Sequence, residues 1–175
     1  QSSSGDVVRF NDPRRFGSLL WAGAWPAKHA LLVELGPEPL SEDFSGAYLH
    51  ATGKGRKVAI KQHIMNSKVV AGVGNIYANE ALFRAGIHPA RAAGRIALAR
   101  MEVLATEIRS VLRDAIRQGG TTLRDYRGGD GKPGYFRQQL LVYERGDEAC
   151  KRCGTAIRRI TQGQRATYYC NSCQT

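Results

Sequence analysis

Apolar residues at positions 98, 101, 104, 105, 108, 111, 112, 115 and 116 recur at steps of three and four. That period puts them on one face of an amphipathic helix over Leu98–Gln118, which Gly119 closes. Three shorter helices are expected ahead of it. Ser41 supplies an N-cap for one near Glu42–His50, a second covers Lys57–Met65, and Asn75 caps a third over Ile76–Arg84 that Gly86 and Pro89 stop. Elsewhere the pattern shortens to strand-like runs. Val7, Val8 and Phe10 form one and Ser18–Trp21 another, joined by a turn over Asn11–Gly17. Gln138–Tyr143 predicts a further strand. Thr155–Thr161 and Arg165–Tyr169 predict a hairpin around Gln162-Gly163-Gln164, with Arg165 at its tip. A lone two-stranded hairpin is marginal in water. Residues 7–21 therefore read as the trailing edge of a larger sheet, and the chain as starting inside a domain. "LGPEPLS" (Leu35–Ser41) reads as a linker, and Gly119–Phe136, with six glycines, as a long loop.

The cysteines add a metal site to this outline. All four lie in "CKRCGTAIRRITQGQRATYYCNSC", with the spacing C-x2-C-x16-C-x2-C. Each C-x-x-C aims two thiolates at one point, and the intervening hairpin brings the pairs together as a tetrahedral S4 shell for one structural Zn2+. The ligand set is Cys150, Cys153, Cys170 and Cys173. Two disulfides are the alternative. The chain shows no secretory signal, which points to a reducing compartment where disulfides would not persist. A redox pair would want one C-x-x-C beside a βαβ pattern, and none is visible.

Charge narrows the choice of partner. Against 26 Lys+Arg stand 15 Asp+Glu, a formal net charge of +11. Such a surplus suits a polyanion. Nucleic acid fits better than an anionic membrane, because no strongly amphipathic basic helix with aromatics on its apolar face is present. No run of 18 apolar residues offers a membrane span.

Three local constellations could carry chemistry. "GVGNIYANE" (Gly72–Glu80) leads glycines into a helix start, whose free N–H groups suit a phosphate; a tight turn between packed helices is the plain alternative. Gly119–Phe136 is either a binding loop or a connector. "NDPRRFG" (Asn11–Gly17) sets two arginines and an aromatic on a turn, which could wedge a base stack or be only a charged turn. His29, His50, His63 and His88 lack ligand spacing, the acidic residues form no visible acid/base dyad, and Lys61 and Lys68 either lie on a basic face of the helical region or, by default, are solvated.

Taken in order, "DPRRFG", "LGPEPLS", "VAGVGNIYANEALFRAGIHP", "QGGTTLRDY", "DGKPGYF", "VYERGDEACKRCGT" and "QRATYYCNSCQ" resemble the C-terminal two thirds of bacterial formamidopyrimidine-DNA glycosylases. The resemblance runs from about Val7 to Thr175. It implies an α+β multidomain fold: the remnant of an N-terminal β-sandwich over 1–36, a helix–two-turn–helix domain with a lesion-recognition loop over 37–137, and a C-terminal β-hairpin zinc finger over 138–175. It also implies base-excision repair, in which oxidised purines such as 8-oxoguanine and formamidopyrimidines are removed and the abasic strand is nicked by β,δ-elimination. The implied partner is double-stranded DNA carrying oxidised purines or abasic sites, bound by a monomer in the bacterial cytoplasm, at the nucleoid.

Site roles follow from the same resemblance. Gly74 and Asn75 grip a phosphate. Arg165 contacts the phosphates flanking the lesion and is linked to δ-elimination. Arg14 addresses the orphaned base and Phe16 wedges the stack. Arg56 contacts DNA, and Lys61 lies close to the site. Thr121, Thr122, Leu123, Arg124, Asp125 and Tyr126 match the loop that closes over the everted purine. One departure matters. The family's nucleophile is an N-terminal proline in a stretch resembling "PELPEVE", whereas this chain begins with Gln1. The expectation is a DNA-binding portion of such an enzyme, inactive by itself; a non-catalytic zinc-finger nucleic-acid-binding module is the alternative.

Overall fold

A computed structural model describes residues 4–7, 10, 12, 17, 19–120 and 139–175. The chain divides into two units, Gln1–Glu34 and Leu35–Thr175. Among the described residues, four α-helices belong to the second: α1 (Gly46–Gly53), α2 (Ile60–Ile64), α3 (Asn75–Arg84) and α4 (Leu98–Arg117). They are followed by an antiparallel hairpin of β1 (Arg158–Gln162) and β2 (Arg165–Tyr169). This mixture of a helical domain and a two-stranded hairpin is the α+β class expected.

The long helix forms where its period placed it, ending one residue early at Arg117. Met101, Leu104, Ala105, Ile108, Val111 and Ala115 are buried on its inner face. They meet Phe44 and Leu49 from the α1 side, Ile60 and Ile64 of α2, and Ala78, Ala81 and Leu82 of α3 in one core. Helix α1 approaches α4 closely: a Cβ added to Gly46 would lie 2.3 Å from Glu102 Cα. At that crossing the Gly46 N–H donates to Glu102 Oε2 at 3.2 Å. Arg109 reaches from α4 to the chain entering α1, donating to the carbonyls of Pro39 and Ser41 at 3.0 and 2.9 Å and also to that of Phe44. The segment read as a linker is thereby tied down on the helical domain.

Several local expectations are corrected. Helix α1 starts at Gly46, not Glu42; its cap is Ser45, whose side chain accepts from the Tyr48 N–H at 3.1 Å, while Ser41 Oγ donates to the Glu38 carbonyl. Helix α2 is one turn long, and α3 is capped by Gly74 because Asn75 is already its first helical residue. Residues 139–143 form no strand. The N–H groups of Leu141, Val142 and Tyr143 are turned toward a carboxylate of α3 instead of a neighbouring strand.

In the first unit, Val7, Phe10, Leu19, Leu20 and Trp21 lie in no strand and are exposed. The described part of this unit contains a short 3-10 turn, Pro26–Lys28, with Lys28 Nζ over the Trp25 ring at 5.4 Å. Arg14, Phe16 and Thr121–Tyr126 lie outside the described residues.

The α1–α4 crossing yields a direct test. Gly46→Ala forces backbone apart where no flexible side chain can yield, so a loss of about 1–3 kcal/mol is expected in urea unfolding; an unchanged midpoint would contradict the close approach.

Candidate nucleic-acid interface and metal centre

The hairpin is built for a sharp reversal. Gln162 pairs directly with Arg165, leaving Gly163 and Gln164 as the two turn residues, with φ of 53° and 61°. Positive φ at both central positions gives the turn whose twist matches the flanking strands. Arg165 is consequently the first residue of the return strand, exposed beside the tip.

At the base of the hairpin the four cysteines converge. All four Sγ atoms lie within 4.8 Å of one another, with Cys150–Cys173 at 4.0 Å and Cys153–Cys170 at 3.5 Å. Four sulfurs around a tetrahedral zinc, each about 2.3 Å from the metal, stand about 3.8 Å apart. The donor set therefore fits one zinc with every position filled by protein, a structural site with no room for substrate. The Arg152 N–H points at Cys150 Sγ at 3.4 Å, as in a knuckle that supports a thiolate. Hydrogen bonds from Thr155 hold the Cys153 thiol down at about 6, whereas burial and its three sulfur neighbours push Cys173 up to about 12. Crowded thiols resist losing all their protons together, and a cation among them removes that resistance.

A polar seam fastens this module to the helices. Glu80, wholly buried on α3, accepts from the N–H groups of Leu141, Val142 and Tyr143, each at 2.9 Å. Beside it, Asn79 Oδ1 accepts from the Tyr168 N–H at 2.7 Å, while its Nδ2 donates to the Asn75 carbonyl at 2.7 Å. Asn75 Nδ2 donates to the Ala166 carbonyl at 3.1 Å. Lys61, from α2, shares that carbonyl at 3.0 Å and donates to Thr167 Oγ1 at 2.6 Å. At the tip, Gly163 packs against Gln62, whose Nε2 would sit 2.8 Å from an added Cβ. The turn ahead of Arg165 and the residue following it are both held.

Lys61, which the sequence alone reads as solvated, is 1% exposed. Burial, with the nearby Arg165 charge, lowers its pKa from 10.5 to about 8. Its partners lie more than a hundred residues downstream, beyond any local pattern. Sequence reasoning misses Glu80 and Asn79 as well. A signal for Glu80 was present: a carboxylate followed directly by Ala81-Leu82-Phe83 in a short helix has no apolar environment it can enter unpartnered.

Among the expected DNA contacts, Gly74, Asn75, Lys61 and Arg165 come together around β2 and the start of α3. Gly74, the N-cap of α3, is exposed, and a Cβ there would meet nothing within 4 Å, so the space beside the helix start is open among the described residues. Gly72 has φ 76°, which holds the turn ahead of that start and favours glycine. Arg56 is apart from this group, exposed between α1 and α2; burial and the Arg56 charge depress the pKa of His63.

Two outcomes are expected. Stripping the metal with a chelator should release one zinc per chain and melt the hairpin module, while far-UV circular dichroism retains the signal of the α1–α4 core; a hairpin that keeps its amide protection without metal would contradict a structural role. For Lys61, the folded chain gives up a proton near pH 8 that the unfolded chain keeps to 10.5, so stability contributed at this site rises with pH across that window. Denaturation of wild type and Lys61→Met should diverge there, with the rise absent in the variant; parallel curves would contradict burial of a cationic amine.

Comparison with known proteins agrees with this geometry. A family model of the formamidopyrimidine-DNA glycosylase H2TH domain matches residues 35–127, and one of a zinc finger found in FPG and IleRS matches residues 147–175. A formamidopyrimidine-DNA glycosylase of Methylococcus capsulatus is 59% identical over 171 residues, 97% of this chain and 63% of the relative. Its counterpart in Stutzerimonas stutzeri is 58% identical over 171 residues, 98% of this chain and 63% of the relative. The chain thus spans less than two thirds of the length of these curated relatives. Among solved structures, MutM (Fpg) of Thermus thermophilus superposes with a TM-score of 0.84 at 40% identity, over 93% of this chain and 62% of that one. Lactococcus lactis Fpg bound to DNA containing an abasic site gives 0.76 at 34%, over 83% of this chain and 53% of that one. By its helical domain, its zinc finger and its closeness to these relatives, the chain belongs to the bacterial formamidopyrimidine-DNA glycosylase family.

Proposed function

We propose that this chain is the DNA-gripping portion of a base-excision repair glycosylase/lyase that acts on oxidised purines and nicks the abasic strand by β,δ-elimination. The observation that carries the reading is Arg165: an exposed guanidinium at the tip of a metal-braced hairpin whose next backbone carbonyl, that of Ala166, is held by both Lys61 and Asn75. A planar fork of donors on a fixed backbone suits a bidentate phosphate contact. The open helix start at Gly74 and Asn75 supplies a second phosphate grip, and Arg56 a third contact on the helical side. Lactococcus lactis relatives crystallised with Fapy-dG and abasic-site DNA support the choice of partner.

The physical task is base eversion. A target glycosidic bond inside a duplex must be brought out of the stack, at a cost of roughly a few kcal/mol. Phosphate clamps such as Arg165 and the α3 amides offset that cost. In the resemblance-based assignment, Arg14 and Phe16 fill the vacated space and Thr121–Tyr126 close over the base. In the same assignment an amine attacks the sugar C1′ as the base departs and leaves an iminium, and these 175 residues serve the binding part of that task.

The test combines two readouts on the 175-residue chain. Its affinity for a duplex with an abasic-site analogue should fall steeply with salt. Arg165→Ala should weaken binding about tenfold or more, the worth of a charged hydrogen bond. Borohydride should trap no adduct on a duplex with a natural abasic site or 8-oxoguanine. A flat salt response or an indifferent Arg165→Ala would overturn the grip; a trapped adduct would overturn the assignment of these residues to binding alone.

A further inference from the structure

A cleft of about 800 Å³ opens where the loop after α3 meets the second zinc knuckle. His88, Arg91 and Arg95 line it from the helical side, and Asn171, Gln174 and Thr175 from the zinc module. Arg91 and Arg95 are exposed, and neither is ion-paired among the described residues. No Asp or Glu is among the lining residues. Two unpaired guanidiniums in one open cleft repel each other and call for an anion. Of the other ionisable groups lining it, His88 adds little charge, since burial and Arg91 together hold its imidazole below its ordinary pKa, and the single α-carboxyl at Thr175 of the 175-residue chain stands against two guanidiniums.

The place of the cleft says which anion. On one flank, the Pro89 carbonyl accepts from Gln162 Nε2 at 3.5 Å, and Gln162 is the strand partner of Arg165. On the other flank, the N–H of Gly94, next in sequence to Arg95, donates to the Arg56 carbonyl at 3.0 Å. Hydrogen bonds thus join the segment around Arg91–Arg95 on one side to the strand partner of Arg165 and on the other to Arg56, both proposed DNA contacts. The segment's backbone is fixed: the Arg91 carbonyl accepts from the Ile60 N–H at 2.8 Å, and Ala92 bridges to Ala59. Arginines on an anchored loop, open to solvent on an otherwise basic chain, suit a repeating polyanion better than a small enclosed ligand.

We propose that Arg91 and Arg95 form a further phosphodiester-binding site that extends the DNA footprint away from the lesion, bridging the helical domain and the zinc module. The inference rests on the DNA-gripping reading above. It assigns these residues to binding, with no part in bond breaking.

The experiment compares the 175-residue chain with Arg91→Gln/Arg95→Gln on duplexes carrying the abasic-site analogue, by salt titration. Every phosphate that the variant no longer neutralises should lower the slope of log affinity against log salt by about 0.9. The double variant should therefore show a shallower slope and weaker binding on a long duplex. The difference from wild type should vanish as the duplex is trimmed to the pairs around the lesion. Arg91→Lys/Arg95→Lys should restore the slope. That variant also decides the matter if the glutamine form loses zinc or helicity, because it keeps the charge. Unchanged slopes with a steeply salt-dependent wild type would overturn this site alone; a wild type without salt dependence would sink both readings. Resonance shifts at Arg91 and Arg95 on adding inorganic phosphate, with no effect of the double variant on DNA, would mark a small-anion site and also overturn the proposal.

Discussion

Everything the hairpin can do depends on one buried carboxylate. Glu80 leaves the helical core as part of α3 and accepts three successive backbone N–H groups of the segment that leads into the zinc module. A carboxylate in that position is fully engaged, and those amides have no strand to pair with. Removing the side chain would strand three donors together, each costing about 1–3 kcal/mol. The zinc shell makes the finger rigid, but Glu80 and Asn79 decide where the rigid finger stands relative to α3. Metal and seam are therefore separate devices, one for internal shape and one for registration.

This division explains how the proposed phosphate contacts, drawn from distant parts of the sequence, come together. Asn75 is needed at the start of α3 and Arg165 near the end of the chain. The Ala166 carbonyl, accepting from both Lys61 and Asn75, is the point at which they meet. The core beneath is ordinary apolar packing, with Arg109 satisfying carbonyls ahead of α1. Positive charge is left mostly on the outside, where it can meet a polyanion, and among the described residues the buried Lys61 is held by a carbonyl and a hydroxyl, not by a carboxylate.

What the sequence disclosed follows the range of the forces involved. Helix α4 was legible to within a residue because its nine apolar positions repeat within the helix itself. The zinc ligands were legible because thiol spacing is a local constraint. The starts of α1 and α3 were off by one to four residues, since Ser41 and Ser45, or Gly74 and Asn75, are near-equal caps until tertiary contacts choose. The strand expected over 138–143 failed for a sharper reason: an apolar run that looks like a strand can have its amides claimed by a side chain sixty residues away. Lys61 was beyond local reasoning altogether. On sequence alone a lysine in a basic chain defaults to solvent, and only the arrival of β2 over α2 buries it.

The tip of the hairpin carries a mechanical consequence. A zinc finger is usually pictured as a cantilever, clamped at its metal and free at its far end. Here the far end is also supported, by Gln62 under Gly163, by Pro89 beside Gln162 and by Lys61 beneath Ala166. A beam held at both ends deflects far less than one held at one end. In the proposed complex, accommodation to an uneven backbone would come from the torsions of the Arg165 side chain, while the main chain beneath it would act as a fixed gauge for the spacing of phosphates.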